Sequence, residues 1–200
     1  MQYHHGNLKQ NLIDCAYQWI STHGIDGISL RSIAKISNVS QTAPYRHFDS
    51  KEHLLAEVAV LGFKNFSKEM GKHEASESPT TDLVKCGVSY IEFGLSNEHI
   101  IDLMFNYPIK KTDFPNLLAA AEHSFGMLLG TFNRLHQQNI DATQLNSVAL
   151  HAYVHGLLSI ILINERIDKS ATNTFYKASS QIKGNLEKML TNFIENLDFS

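Results

Sequence analysis

Between Ser29 and Lys51 the chain reads Ser-Leu-Arg-Ser-Ile-Ala-Lys-Ile-Ser-Asn-Val-Ser-Gln-Thr-Ala-Pro-Tyr-Arg-His-Phe-Asp-Ser-Lys. That stretch has room for two short helices, a tight turn between them and the start of a third helix. Ser29 is placed to cap the first helix, which would carry Leu30, Ile33 and Ala34 inward. Ser40 is placed to cap the second, with Tyr45 and Phe48 at its end. Asn38 falls at the turn, where a left-handed backbone is needed and Asn tolerates it better than most residues. Val39 supplies the apolar residue just after it. This is the plan of a helix-turn-helix, which presents one helix to the DNA major groove.

The rest of the chain reads as helix almost throughout. Leu8, Leu12, Cys15, Ala16, Trp19 and Ile20 recur at helical spacing, with a stop at His23-Gly24. A long helix is expected from about Lys51, with Leu54, Leu55, Val58, Leu61, Gly62 and Phe66 as its inner stripe. Gly71 to Thr81 is polar and turn-rich and separates an N-terminal module from a C-terminal bundle. Helices are then expected over about 82–95, 98–105, 116–138, 143–164 and 172–197, with a break around Pro108 and Pro115. No strand-like alternation persists. The expected fold is all-α: a three-helix DNA-binding module over residues 1–66, its helix-turn-helix at about 29–48, and a helical bundle over 67–200.

Two hundred residues that are 43% hydrophobic can bury a sizeable core. No uninterrupted apolar run approaches the ~18 residues of a membrane helix, and the N-terminus lacks a signal peptide's basic and apolar regions. Cys15 and Cys86 have no metal-type partner at short spacing. A cytoplasmic protein with reduced thiols and no membrane partner is the expectation. The formal charge of −3 does not favour nucleic acid. Residues 1–66 nevertheless carry +1, the remainder −4, and the first segment adds several histidines.

The second helix of the motif is expected to expose Gln41, Thr42 and Arg46, with Ala43 keeping the approach to DNA close. Gln and Thr read base edges, and Thr and Ala methyls touch thymine methyls. Tyr45, His47 and Lys51 fall where a phosphate strand would pass, and Arg31 can reach a base or a phosphate. Three small helices making an ordinary core would account for Phe48. They leave unexplained why Arg31, Gln41, Thr42, His47 and Lys51 share one outward surface.

These residues resemble the DNA-binding domain of the TetR family of bacterial transcription regulators. The resemblance rests on Ala16, Gly24, Ser29 to Ala34, Val39-Ser40, Tyr45-Arg-His-Phe48 and Ser50 to Leu55. Asn38 replaces the usual glycine of the turn. Tyr90 to Asn97, Leu103-Met-Phe and Val154-His-Gly-Leu157 are similar to the subgroup whose ligand domain is called WHG. Its tryptophan is His151 here, and Glu98 stands where a proline is common. The resemblance implies a homodimer on a palindromic operator, acting most commonly as a repressor and released by a small-molecule effector in the bundle.

For the bundle, two apolar stripes are candidate dimer surfaces: Leu150, Val154, Leu158 and Ile161, and Ile182, Leu186, Met189 and Phe193. Tyr90, Phe93, Met104, Phe105, Tyr107, His123, Met127, Tyr153 and His155 are candidate pocket residues, apolar with a few polar groups. His151 and His155, one turn apart, lack a nearby carboxylate at motif spacing, so helix packing is preferred over metal binding. No cofactor and no catalytic residue is expected, because no phosphate loop, nucleophile elbow or zinc-protease motif occurs. The alternatives are a helical adaptor or a small-molecule-binding protein without DNA binding.

Overall fold

The computed structural model describes residues 8–135, 140–166 and 174–197, and the described residues contain helices and turns but no strand. The helices are α1 (Leu8–His23), α2 (Leu30–Ile36), α3 (Lys51–Met70), α4 (Pro79–Ser96), α5 (Glu98–Ile101), α6 (Pro115–Leu135), α7 (Ile140–Arg166), α8 (Thr174–Ser179) and α9 (Leu186–Glu195). They form two compact units. The first joins the residues up to Asn65 to Asn97–His123; the second joins Phe66–Ser96 to the residues from Ser124 onward.

In the first unit, Leu12, Ala16 and Ile20 of α1, Ile33 and Ala34 of α2, Phe48, and Leu54, Leu55 and Val58 of α3 are buried. Ser29 caps α2 reciprocally: the Ser32 N–H donates to Ser29 Oγ at 3.0 Å, and the Ser29 N–H donates to Ser32 Oγ at 2.7 Å. The other end of α2 closes as a Schellman turn. The Asn38 N–H donates to the Lys35 carbonyl at 3.2 Å and the Val39 N–H to the Ala34 carbonyl at 3.0 Å. This requires a left-handed residue between them, and Asn38 has φ 53°.

The segment after the turn is not the α-helix expected from Ser40. Ser40 Oγ lies 3.3 Å from Thr42 Oγ1, and the only helical turn is a tight 3₁₀ turn, Pro44–Arg46. Pro44 has no N–H to donate to Ser40, so that α-type bond is missing. Three bonds run three residues apart, from Ala43 to Ser40, Arg46 to Ala43 and His47 to Pro44, and the Phe48 N–H makes one α-type bond to the Pro44 carbonyl at 3.0 Å.

Glycine permits a close approach on α3. A Cβ at Gly62 would stand 2.8 Å from Met104 Sδ and 2.9 Å from Ile100 Cγ2. In the second unit α4 is the central element, packing on α7 and α9. A Cβ at Gly94 would stand 2.3 Å from a Leu158 methyl. The polar loop preceding α4 is tied down by Asp82. Its carboxylate accepts from the Ser76 N–H at 2.9 Å and Ser76 Oγ at 2.7 Å, and it pairs with Arg134. These partners, Arg134 first, hold the Asp82 pKa down at about 2.

The helix expected over 172–197 is instead two helices, α8 and α9, parted by a 3₁₀ turn at Lys183–Asn185 containing Gly184. Although no unbroken apolar run suggested it, α7 is long and apolar enough to cross a membrane, with a mean hydropathy of 1.5 over 18 residues. Part of that apolar content packs on α4, and Leu145, Val148 and Ile163 remain exposed.

The left-handed turn can be tested directly. Asn38→Gly should fold with undiminished stability, whereas Asn38→Val should cost about 1–2 kcal/mol, the penalty of a left-handed β-branched residue. Urea unfolding monitored by circular dichroism measures both.

Candidate nucleic-acid interface

The turn at Asn38 and the 3₁₀ turn after it set out the candidate surface. Arg31 emerges from the first turn of α2, and Gln41 and Thr42 from the bend after Ser40; all three are exposed. Tyr45 is 52% exposed. Arg46 and Lys51 are exposed beside it. His47 is half-buried, its ring 6.4 Å from the Phe48 ring. Phe48 is buried and anchors the segment to the core. Ser50 Oγ accepts the His53 N–H at 3.0 Å and so occupies one free donor at the start of α3.

Ala43 departs from expectation. It is only 8% exposed, and Pro44 beside it is also buried. Its methyl packs inward under the 3₁₀ turn instead of approaching a partner. The other seven expected residues reach the surface at least in part.

The expected effector residues divide between the two units. Tyr90, Phe93, Met127, Tyr153 and His155 lie in the second; Met104, Phe105, Tyr107 and His123 lie in the first. In the first unit Met104 is buried, Phe105 packs edge-on to Phe63 at 5.4 Å, Tyr107 is half-buried and His123 is exposed. In the second unit Tyr90 lies 2.8 Å from His155 Nδ1 through its hydroxyl. Its ring meets the His151 ring edge at 5.6 Å, and His151 stacks on His155 at 5.9 Å. Phe66 packs edge-on to both Tyr90 and Phe93, at 5.2 and 5.4 Å. His151 and Phe66 belong to this cluster although neither was an expected pocket residue. The i, i+4 pairing of His151 with His155 was the available signal. Among the described residues no group of three or more His, Cys, Asp or Glu side chains is arranged for a metal ion.

The expected dimer stripes are corrected in part. Leu150, Val154, Leu158, Ile161 and Ile182 are buried within the protomer, with Val154 against Gly87 and Leu158 against Gly94. For Val154 and Leu158 the α4 glycines make room for that burial. The exposed apolar face of α7 is instead Leu145, Val148 and Ile163. Leu186, Met189 and Phe193 of α9 are half-buried, and Phe193 stacks on Tyr153 at 4.0 Å.

Burial, then the neighbouring His155, lowers the His151 pKa below its ordinary 6.5. Folded protein therefore resists a proton that unfolded chain accepts. That contribution is fully present above pH 6.5 and is lost as pH falls from there toward the lowered value in the folded state. The Asp82 carboxylate acts in a lower window, losing its contribution only as pH falls from about 4 toward 2. Thermal melts between pH 7.5 and 5.5 should show a decline in stability that His151→Phe reduces.

Residues 12–58 match the family profile of bacterial regulatory proteins, tetR family. The chain is 23% identical over 92 residues to the uncharacterized HTH-type transcriptional regulator YobS of Bacillus subtilis (strain 168), and spans about half the length of that relative, 48%. It is 23% identical over 167 residues to the HTH-type transcriptional regulator AcrR of Shigella flexneri, covering 75% of this chain and 76% of that one. Its fold is similar to that of the TetR family transcriptional regulator PfmR from Thermus thermophilus, with a TM-score of 0.60 at 14% identity over 90% of this chain and 97% of that chain. The helix-turn-helix segment thus matches the tetR family profile over residues 12–58, and the all-helical fold around it is similar to that of TetR family regulators.

Proposed function

We propose that the chain acts in the cytoplasm as a homodimeric repressor that binds a palindromic operator and is released by a small molecule. In this reading residues 1–66 bind DNA, and residues 67–200 form a WHG-type domain for effector binding and dimerisation. The observation that carries it is the exposed set around the Asn38 turn: Arg31, Gln41, Thr42, Tyr45, Arg46 and Lys51. An adaptor surface has no need of that combination. Gln41 and Thr42 would read base edges, while Tyr45, His47, Lys51 and the start of α3 would hold phosphates. A single module of this size contacts one short half-site, so a two-fold pair is needed for a specific operator.

The dimer would form through the exposed Leu145, Val148 and Ile163 of α7 together with Leu186, Met189 and Phe193 of α9. The effector would be an apolar or amphipathic molecule seated near Phe66, Tyr90, Phe93 and His155, where one polar pair lies among aromatic rings. It would favour a conformation in which α3 shifts and the two recognition surfaces no longer match the half-site spacing. It acts only through different affinities for the two states.

Mobility shifts over a salt series test the DNA surface. Lys51→Ala should weaken binding to every sequence and reduce the salt slope by about 1. Gln41→Ala should relax preference at one base position, a loss of about 1–3 kcal/mol there. Normal operator binding by both variants would refute this surface. Sedimentation tests the interface: Val148→Glu with Leu145→Glu should convert dimer to monomer while the circular dichroism spectrum stays helical.

A further inference from the structure

Between Ser40 and Phe48 the exposed side chains are Gln41, Thr42, Tyr45 and Arg46, while Ala43 and Pro44 are buried. Two methyl groups were expected to meet DNA here, those of Thr42 and Ala43. The Ala43 methyl packs inward, so Thr42 is left without the neighbour its sequence offered. Tyr45 takes that place. It stands three residues after Thr42, and three of the four backbone bonds in the segment span three residues. At close to three residues per turn, side chains at i and i+3 fall on one face. Thr42 and Tyr45 therefore share a face, and buried Phe48 anchors it to the core.

Thr42 has two groups to offer, a hydroxyl and a methyl, and the turn commits the hydroxyl. Ser40 Oγ and Thr42 Oγ1 lie 3.3 Å apart, a long hydrogen bond between two hydroxyls. A β-branched side chain has few rotamers, and the one that turns Oγ1 back to Ser40 leaves Cγ2 as the free end. Between exposed groups such a bond counts for little in water. Against DNA, where water is displaced, it spares Thr42 Oγ1 from being desolvated without a partner.

The free Thr42 methyl beside the Tyr45 ring is an apolar face with no polar group of its own to satisfy. In the major groove the feature that suits such a face is the C5 methyl of thymine, which the other three bases lack. We propose that Thr42 and Tyr45 together read a thymine methyl, and that Ser40 is a positioning residue that holds the Thr42 hydroxyl out of the contact. These roles rest on the reading of this segment as a DNA surface. They give Tyr45 a part in specificity beside its phosphate contact.

The full chain is first used to select duplexes from a randomised pool at fixed salt. Thymines of the selected site are then replaced one at a time by deoxyuridine, which keeps the pairing edge and lacks only the methyl. One position in a half-site should lose about fourfold in affinity, the worth of one buried methyl. Thr42→Val, which keeps a methyl and loses the hydroxyl, should preserve this thymine-to-uracil ratio. Thr42→Ser, which does the reverse, should bring it close to one. Ser40→Ala should lower the ratio by at least about twofold and Ser40→Thr should restore it; a merely structural residue would weaken both duplexes alike. Tyr45→Phe should keep the ratio and Tyr45→Ala should reduce it. The proposal is overturned by a selected site with no methyl-dependent thymine, by a ratio kept in Thr42→Ser and lost in Thr42→Val, or by a ratio unchanged in Ser40→Ala or Tyr45→Ala. A wild-type chain that enriches no sequence overturns the operator reading itself, and this proposal with it.

Discussion

The left-handed backbone at Asn38 is the constraint on which the N-terminal unit depends. Two crossed hydrogen bonds, Asn38 to Lys35 and Val39 to Ala34, end α2 and turn the chain at once. Every side chain proposed to meet DNA after that point takes its direction from this turn. The capping box at Ser29 fixes the opposite end of the same helix. A seven-residue helix is too short to persist alone. Closed at both ends and buried through Leu30, Ile33 and Ala34, it becomes a rigid strut. Phe48 then returns the chain to the core, so Tyr45 and Arg46 are held out by the residues on either side of them.

Much of this was legible in the sequence because the signals are local. Ser29 as a cap, Asn38 as a left-handed residue, Gly24 as a stop and the apolar spacing of α1 and α3 each rest on a few neighbouring residues. Pro44 was legible as an oddity, but its effect was not. A proline in a helix's first turn ordinarily costs little. Here the segment between Ser40 and Phe48 holds only a short 3₁₀ turn, with one α-type bond from Phe48 to Pro44. Farther along, the expected long helix is split into α8 and α9, with turns from Ser180 and a 3₁₀ turn at Lys183–Asn185.

The bundle was less legible because its contacts are distant in sequence. The periodicity of α7 gives more than one apolar stripe, and periodicity alone cannot say which faces inward. Gly87 and Gly94 on α4 decide it by admitting Val154 and Leu158. Without those contacts in view, the core stripe passes for the partner stripe. Likewise, nothing in composition divides Met104 and Phe105 from Tyr90 and Phe93. Only the return of residues 97–123 to the first unit separates them. The Asp82–Arg134 pair, 52 residues apart, had no local signal at all.

Gly62 carries a mechanical consequence. With no side chain between them, the α3 backbone and the side chains of Ile100 and Met104 are in direct contact, and Ile100 and Met104 are themselves buried. A helix packed this closely cannot roll in place, since any rotation drives its neighbouring side chains into the opposing surface. The segment around Ile100 and Met104 is therefore packed directly against α3, and a substitution that adds a side chain at Gly62 would force the two apart.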